Sequence, residues 1–175
     1  QGWSVMIPSY PQAPDVKITQ ITHSISKLVY KILDDCNGSV RMIGHSAGGH
    51  LASRMICKNF LKKNMGKQIE KVISVSGLYD LRPLLMTKLN DILKLDYEEA
   101  ERESCFLYDP IDTKLICWVG ANERPEFLRQ NRMLTEAWSK KSRNIESYYD
   151  PGKDHFSVID QLEEKESLLT QIITK

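Results

Sequence analysis

The residues with the plainest chemical meaning are Gly44-His45-Ser46-Ala47-Gly48-Gly49. A serine with glycines two positions to either side suits a turn too sharp for side chains at those flanking positions. Val40 to Ile43 reads as a strand entering the turn. Ala47, Leu51, Ala52, Met55, Ile56 and Phe60 leave it on one face of a helix. A serine placed so has its hydroxyl lifted clear of the sheet, at the positive end of a helix. The N–H of Ala47 then points to where an oxyanion would form. The chemistry is nucleophilic attack on a carbonyl, with Ser46 as nucleophile.

That hydroxyl needs a base, and the base needs an acid to orient it. Around a strand–turn–helix serine the partners follow in the order serine, acid, histidine. Of the four histidines only His155 lies late enough, after Asp150-Pro151-Gly152-Lys153-Asp154. His50 is the rival, one helical turn beyond Ser46, but its side chain should lean along the helix, a structural position. His45 is expected to pack into surrounding structure, and His23 to lie at a helix surface or rim. Two carboxylates suit the acid. Glu123 stands three residues beyond Gly120, directly after a strand. Asp80, after an earlier strand, is the alternative, and Arg82 beside it could neutralise it in a structural ion pair. Asp109 and Asp112 precede a strand and belong at the wrong edge of the sheet.

Short apolar runs alternating with longer helical periods position these residues. Strands are expected at Trp3 to Ile7, Val40 to Ile43, Val72 to Val75, Leu115 to Val119 and Ile145 to Tyr149. Helices are expected from a cap at Asp15 to Asn37-Gly38, after Ser46, from Pro125 through Trp138, and from Val158 to Ile173. Leu84 to Leu95 and Tyr97 to Ser104 read as short helices, and residues 78–113 as a cap or insertion over a pocket. Within that segment Tyr79, Leu84, Leu85 and Met86 suit either an acyl subsite or plain packing. Strands separated by helices imply right-handed crossovers and a mostly parallel sheet with helices on both faces, one α/β domain over residues 1–175. Ligands then lie beyond the carboxyl ends of the strands. The positions to search are Ser9, Gly44 to Gly49, Ser76 to Asp80, Gly120 to Glu123 and Pro151 to His155.

Composition narrows the partners. Twenty-four basic against 23 acidic residues leave a formal charge of +1, no electrostatic reason to expect nucleic acid or an anionic membrane. No apolar run approaches the roughly 18 residues of a membrane span, and no basic segment followed by an apolar one opens the chain, so no signal peptide is expected. Cys36, Cys57, Cys105 and Cys117 fit neither zinc spacing nor a disulfide framework. They read as free thiols in a reducing, cytoplasmic setting, with Cys117 in the core. No metal and no organic cofactor is implied.

Several segments together resemble arylformamidase (kynurenine formamidase)-like α/β hydrolases and their esterase relatives. They are Gly-His-Ser-Ala-Gly-Gly-His at 44–50, Tyr79-Asp80-Leu81-Arg82-Pro83-Leu84, the stretch from Asn90 to Leu95, Val119-Gly120 through Glu123-Arg124-Pro125-Glu126-Phe127, and His155-Phe156-Ser157-Val158-Ile159. The resemblance runs over nearly the whole chain. It implies the α/β-hydrolase fold, Ser46, Glu123 and His155 as a triad, and a small ester or formamide substrate. A homodimer is compatible with it. The family carries an upstream His-Gly-Gly loop that completes the oxyanion hole, and nothing before Ser46 contains Gly-Gly. The expectation is that the first strands and this loop lie outside the sequence. The alternative is a catalytically incomplete fold that only binds.

Overall fold

The structure is a computed structural model and describes residues 2–61 and 65–175. Its four strands, β1 (Val40–His45), β2 (Ile69–Val75), β3 (Lys114–Gly120) and β4 (Ile145–Asp150), pair in chain order, every pair parallel. Parallel neighbours need long crossovers. The helix α1 (Ile18–Asp35) precedes β1, and α2 (Ala47–Met55) follows it. Between β2 and β3 lie α3 (Asn90–Leu93) and α4 (Tyr97–Glu103). α5 (Pro125–Ser139) joins β3 to β4, and α6 (Leu168–Thr174) comes last.

Alternate residues of a strand face opposite sides, so β2 and β3 feed two cores. Val72, Leu115 and Cys117 pack with Val29 and Leu33 of α1, Met55 of α2, and Leu134 and Trp138 of α5. Ile73, Val75, Ile116 and Trp118 pack on the other side with Val158 and with Leu169 of α6. Both faces are therefore covered, which is why the central strands are apolar at nearly every position. Burying each such side chain contributes about 1.5–3 kcal/mol. Among the described residues no helix is long and apolar enough to cross a membrane.

Some local expectations are corrected. Trp3 to Ile7 forms no strand, and Val5 and Ile7 are exposed. Alternation cannot make a strand without a neighbour to satisfy its N–H and C=O groups. Trp3 instead covers the Arg41 guanidinium and donates its indole N–H to the Thr174 carbonyl. The first helix starts at Ile18, not at a cap on Asp15. There the Lys17 N–H bonds the Gln20 side chain, and Glu99, buried on α4, accepts the Thr19 N–H at 3.0 Å. A carboxylate from a distant helix thus does the capping, which no local pattern reveals. The last helical stretch is broken into a 3₁₀ segment, Ser157–Glu163, and α6, because Ser167 caps α6 by accepting the Thr170 N–H.

Candidate active site

Ser46 stands between β1 and α2 with φ 56° and ψ −116°. A non-glycine residue at positive φ is held against its preference by its surroundings. Its N–H donates to the Val75 carbonyl at 2.8 Å, and its own carbonyl accepts the His50 N–H at 3.1 Å, the start of the helix ladder. The turn is tight in one direction only. A Cβ on Gly44 would collide with the backbone carbonyl of Gly48, whereas a Cβ on Gly48 would meet nothing within 4 Å. The expectation that both glycines avoid a clash is thus corrected: Gly44 must be glycine, and Gly48 supplies the backbone that Gly44 approaches. Ser74 anchors the helix to the sheet, donating its hydroxyl to the Gly49 carbonyl at 2.9 Å.

The structure brings three of the candidate residues into one series. The Ser46 hydroxyl lies 3.0 Å from His155 Nε2, and His155 Nδ1 lies 2.7 Å from Glu123 Oε2. Facing a carboxylate, Nδ1 carries the proton and donates it, which leaves the Nε2 lone pair to accept from Ser46. The Glu123 side chain is fully buried and that of His155 is one-fifth exposed. Two rings pack against His155, Phe127 at 4.2 Å and His45 at 4.8 Å between ring centroids. The loop carrying it is tied to the loop carrying Glu123. Ala121 N–H donates to the Asp150 carbonyl and Asn122 N–H to that of Lys153. The same Lys153 carbonyl lies so close to Gly120 that no side chain fits there. Asp154 stiffens the loop by accepting the N–H groups of Phe156 and Ser157.

The remaining candidates lie elsewhere. Asp80 does not face His155; its carboxylate takes two bonds from the Arg82 guanidinium, at 2.8 and 3.0 Å. Burial alone would raise its pKa, but the Arg82 bonds and nearby Arg129 leave it below the ordinary value. Asp80 is thus the ion-paired carboxylate foreseen as its other role. His50 is buried and donates from Nε2 to the Glu103 carbonyl at 2.8 Å, tying α2 to α4. Burial holds its pKa down, which favours the neutral ring. His45 reaches the His155 carbonyl at 2.7 Å, more than the packing expected of it, and burial lowers its pKa too. His23 bonds the Thr19 carbonyl from an exposed helix face. Tyr79 is core, its hydroxyl 2.8 Å from the Ser74 hydroxyl, while Met86 is exposed. Ala47, as the first residue of α2, has an N–H with no partner inside the helix.

Sequence reasoning passed over Ser76. Its hydroxyl donates to Glu123 Oε1, which also accepts the Gly120 N–H at 2.9 Å. Ser76 lies in the stretch after a strand that the topology marks for search, but no spacing links it to a carboxylate 47 residues on.

No family model matches the chain. Kynurenine formamidase from Danio rerio is 31% identical over 186 residues, covering 100% of this chain and 62% of the relative. Kynurenine formamidase from Salmo salar is 30% identical and matches 63% of its own length. The chain therefore spans a little under two thirds of these relatives. Among solved structures, a candidate thioesterase from Silicibacter sp. superposes with TM-score 0.87 at 40% identity, over 96% of this chain and 63% of that one. With a parallel sheet, helices on both faces and a strained serine between β1 and α2, the chain has the α/β-hydrolase fold, and it is similar in sequence to the kynurenine formamidases and in structure to the candidate thioesterase.

Proposed function

We propose that the protein is a serine hydrolase that cleaves a small carboxylic ester or an aryl formamide through an acyl-enzyme on Ser46. One observation carries the reading: the hydrogen-bonded series from the Ser46 hydroxyl through His155 to Glu123, at the carboxyl ends of the strands. In this reading Ser46 Oγ attacks the carbonyl carbon while His155 Nε2 takes the hydroxyl proton. Glu123 holds the imidazole in the tautomer that can accept it and stabilises the imidazolium that results. The Ala47 N–H faces the developing oxyanion at the positive end of α2. His155 then protonates the leaving alcohol or amine. A water, deprotonated by the same ring, attacks the acyl-enzyme and releases the acid. The formamide half of the reading rests on the kynurenine formamidase relatives, and the ester half on the candidate thioesterase, whose named substrate class is also an acyl ester. Residues 78–113 act as the cap, with Met86, Leu89 and Ile92 exposed for an apolar substrate group.

A fluorophosphonate probe with peptide mapping tests this directly. Ser46 should carry the label, and Ser46→Ala should lose both the label and turnover. Label on another serine, with turnover intact in Ser46→Ala, would refute the assignment. Turnover of an N-formyl aryl amine against an aryl acetate then ranks the two substrate classes. A protein that neither labels nor turns over either compound would instead be a binding member of the fold.

A further inference from the structure

We infer that Ser76 is a positioning residue for the reaction, acting through Glu123; the inference rests on the serine-hydrolase reading above. Ser76 follows β2, is 2% exposed and has φ 52°. Left-handed backbone is disfavoured at a residue with a Cβ, and glycine is the residue that adopts it freely. The neighbouring glycine, Gly77, is not the residue at positive φ. The chain thus places a serine where glycine would relieve the backbone. The Ser76 N–H is held by the Trp118 carbonyl at 2.7 Å, which fixes the conformation on the β2–β3 ladder.

What the serine supplies is its hydroxyl. Glu123 has two oxygens with separate tasks. Oε1 takes the Ser76 hydroxyl and the Gly120 N–H, and Oε2 takes His155 Nδ1. Two donors on one oxygen fix the rotation of the buried carboxylate, so the other oxygen is held against the imidazole. Without the hydroxyl, Oε1 keeps the Gly120 N–H alone, and the carboxylate can turn. The imidazole then loses orientation towards Ser46, and a small misplacement at the reacting atoms is costly in rate.

The test separates this role from a purely structural one, using Ser76→Gly and Ser76→Ala in the full protein. Ser76→Gly removes the hydroxyl while relieving the strained backbone, so it should melt no lower than the parent. Its kcat should nonetheless fall about tenfold or more, the loss expected for one hydrogen bond to a charged group. KM should stay within about twofold, since Ser76 does not touch substrate. Ser76→Ala should lose kcat to the same degree. The labelling rate at Ser46 should fall in parallel, and adding Ser76→Ala to Glu123→Gln should slow labelling by less than about twofold more. Parental kcat and labelling rate in a folded Ser76→Gly protein would overturn the inference, as would fully additive losses in the double variant. Failure of Ser46 to label in the parent protein would be a different result, since it removes the hydrolase reading itself.

Discussion

Two buried carboxylates near the ends of β2 and β3 have opposite partners. Glu123 meets an imidazole, and Asp80 meets the Arg82 guanidinium. Their neutral amides should therefore behave differently. Glu123→Gln leaves the shape of the site but removes the charge that holds the His155 tautomer, and in a Ser-His-Asp enzyme the comparable change costs about 10⁴ in kcat. A loss of that order is expected here. Asp80→Asn weakens an ion pair that holds the segment after β2, and should cost about tenfold through a shift of the pocket. Steady-state kinetics, with folding checked by circular dichroism, decide between them, and the reverse ranking would make Asp80 the acid. The imidazole supplies a second test. Without His155 nothing takes the Ser46 proton, so His155→Ala should lower kcat by about 10²–10⁴, whereas His50→Ala, if folded, should leave kcat nearly unchanged, because His50 is turned to the Glu103 carbonyl.

At the level of elements, the turn from β1 into α2 depends on two glycines in unequal ways. Gly44→Ala puts a methyl group into the Gly48 carbonyl, so strand and helix must part. That substitution should abolish labelling of Ser46 and lower the melting temperature by more than a surface change would. Gly48 is helical and its Cβ position is open. Gly48→Ala should leave thermal stability unchanged or raise it by about 0.4–1 kcal/mol, as glycine-to-alanine replacements do in relaxed helical backbone. Thermal melts of the two variants read both outcomes. The far end of α2 is tied to α4 by a buried pair, Arg54 Nε to Glu103 Oε2 at 3.4 Å, with both side chains 1% exposed. Arg54 is further enclosed by the Phe60 and Tyr108 rings. Arg54→Leu removes the nearer guanidinium partner of the buried Glu103, leaving, among the described residues, only Arg102 at 3.9 Å, and should cost about 3 kcal/mol, measurable by urea unfolding.

Over the whole molecule, the buried His50 and the half-buried His45 make stability depend on pH. His50 and His45 both have pKa values lowered by burial, which outweighs their carbonyl hydrogen bonds. In the unfolded chain each titrates near about 6.5. Below that value the unfolded chain takes up protons that the folded protein refuses, so stability is full above it and is lost as pH falls towards the folded values. The urea midpoint should therefore be lower at pH 5.5 than at pH 7.5, and His50→Gln should flatten part of that slope. The paired carboxylates Asp80 and Glu126 also have lowered values, in Glu126 through its Arg129 partner. They add their loss in a separate window, below the ordinary carboxylate range of about 4. A midpoint unchanged between pH 7.5 and 5.5 would mean that these imidazoles are not held neutral in the fold.

Spacing along the chain is enough to mark the serine turn, the central strands and the late histidine. Their signals are local: a Gly-x-Ser-x-Gly pattern, runs of apolar residues buried on both sides, and a histidine placed after the last strand. Glu123 is legible as a candidate for the same reason, since it sits three residues beyond the Gly120 that ends β3. Other features become visible only when distant segments meet. The choice between Glu123 and Asp80 depends on which carboxylate the folded loops turn towards His155. The capping of α1 by Glu99, the packing of His45 and Phe127 against the imidazole, and the Ser76 hydroxyl on Glu123 all join residues far apart in the chain. A strand cannot be recognised at Trp3 to Ile7 because alternation describes a side chain's face, and only a paired neighbour makes it part of a sheet. Local patterns record what each segment can become, whereas hydrogen bonds and ion pairs between segments have directions that exist only once packing has placed both partners.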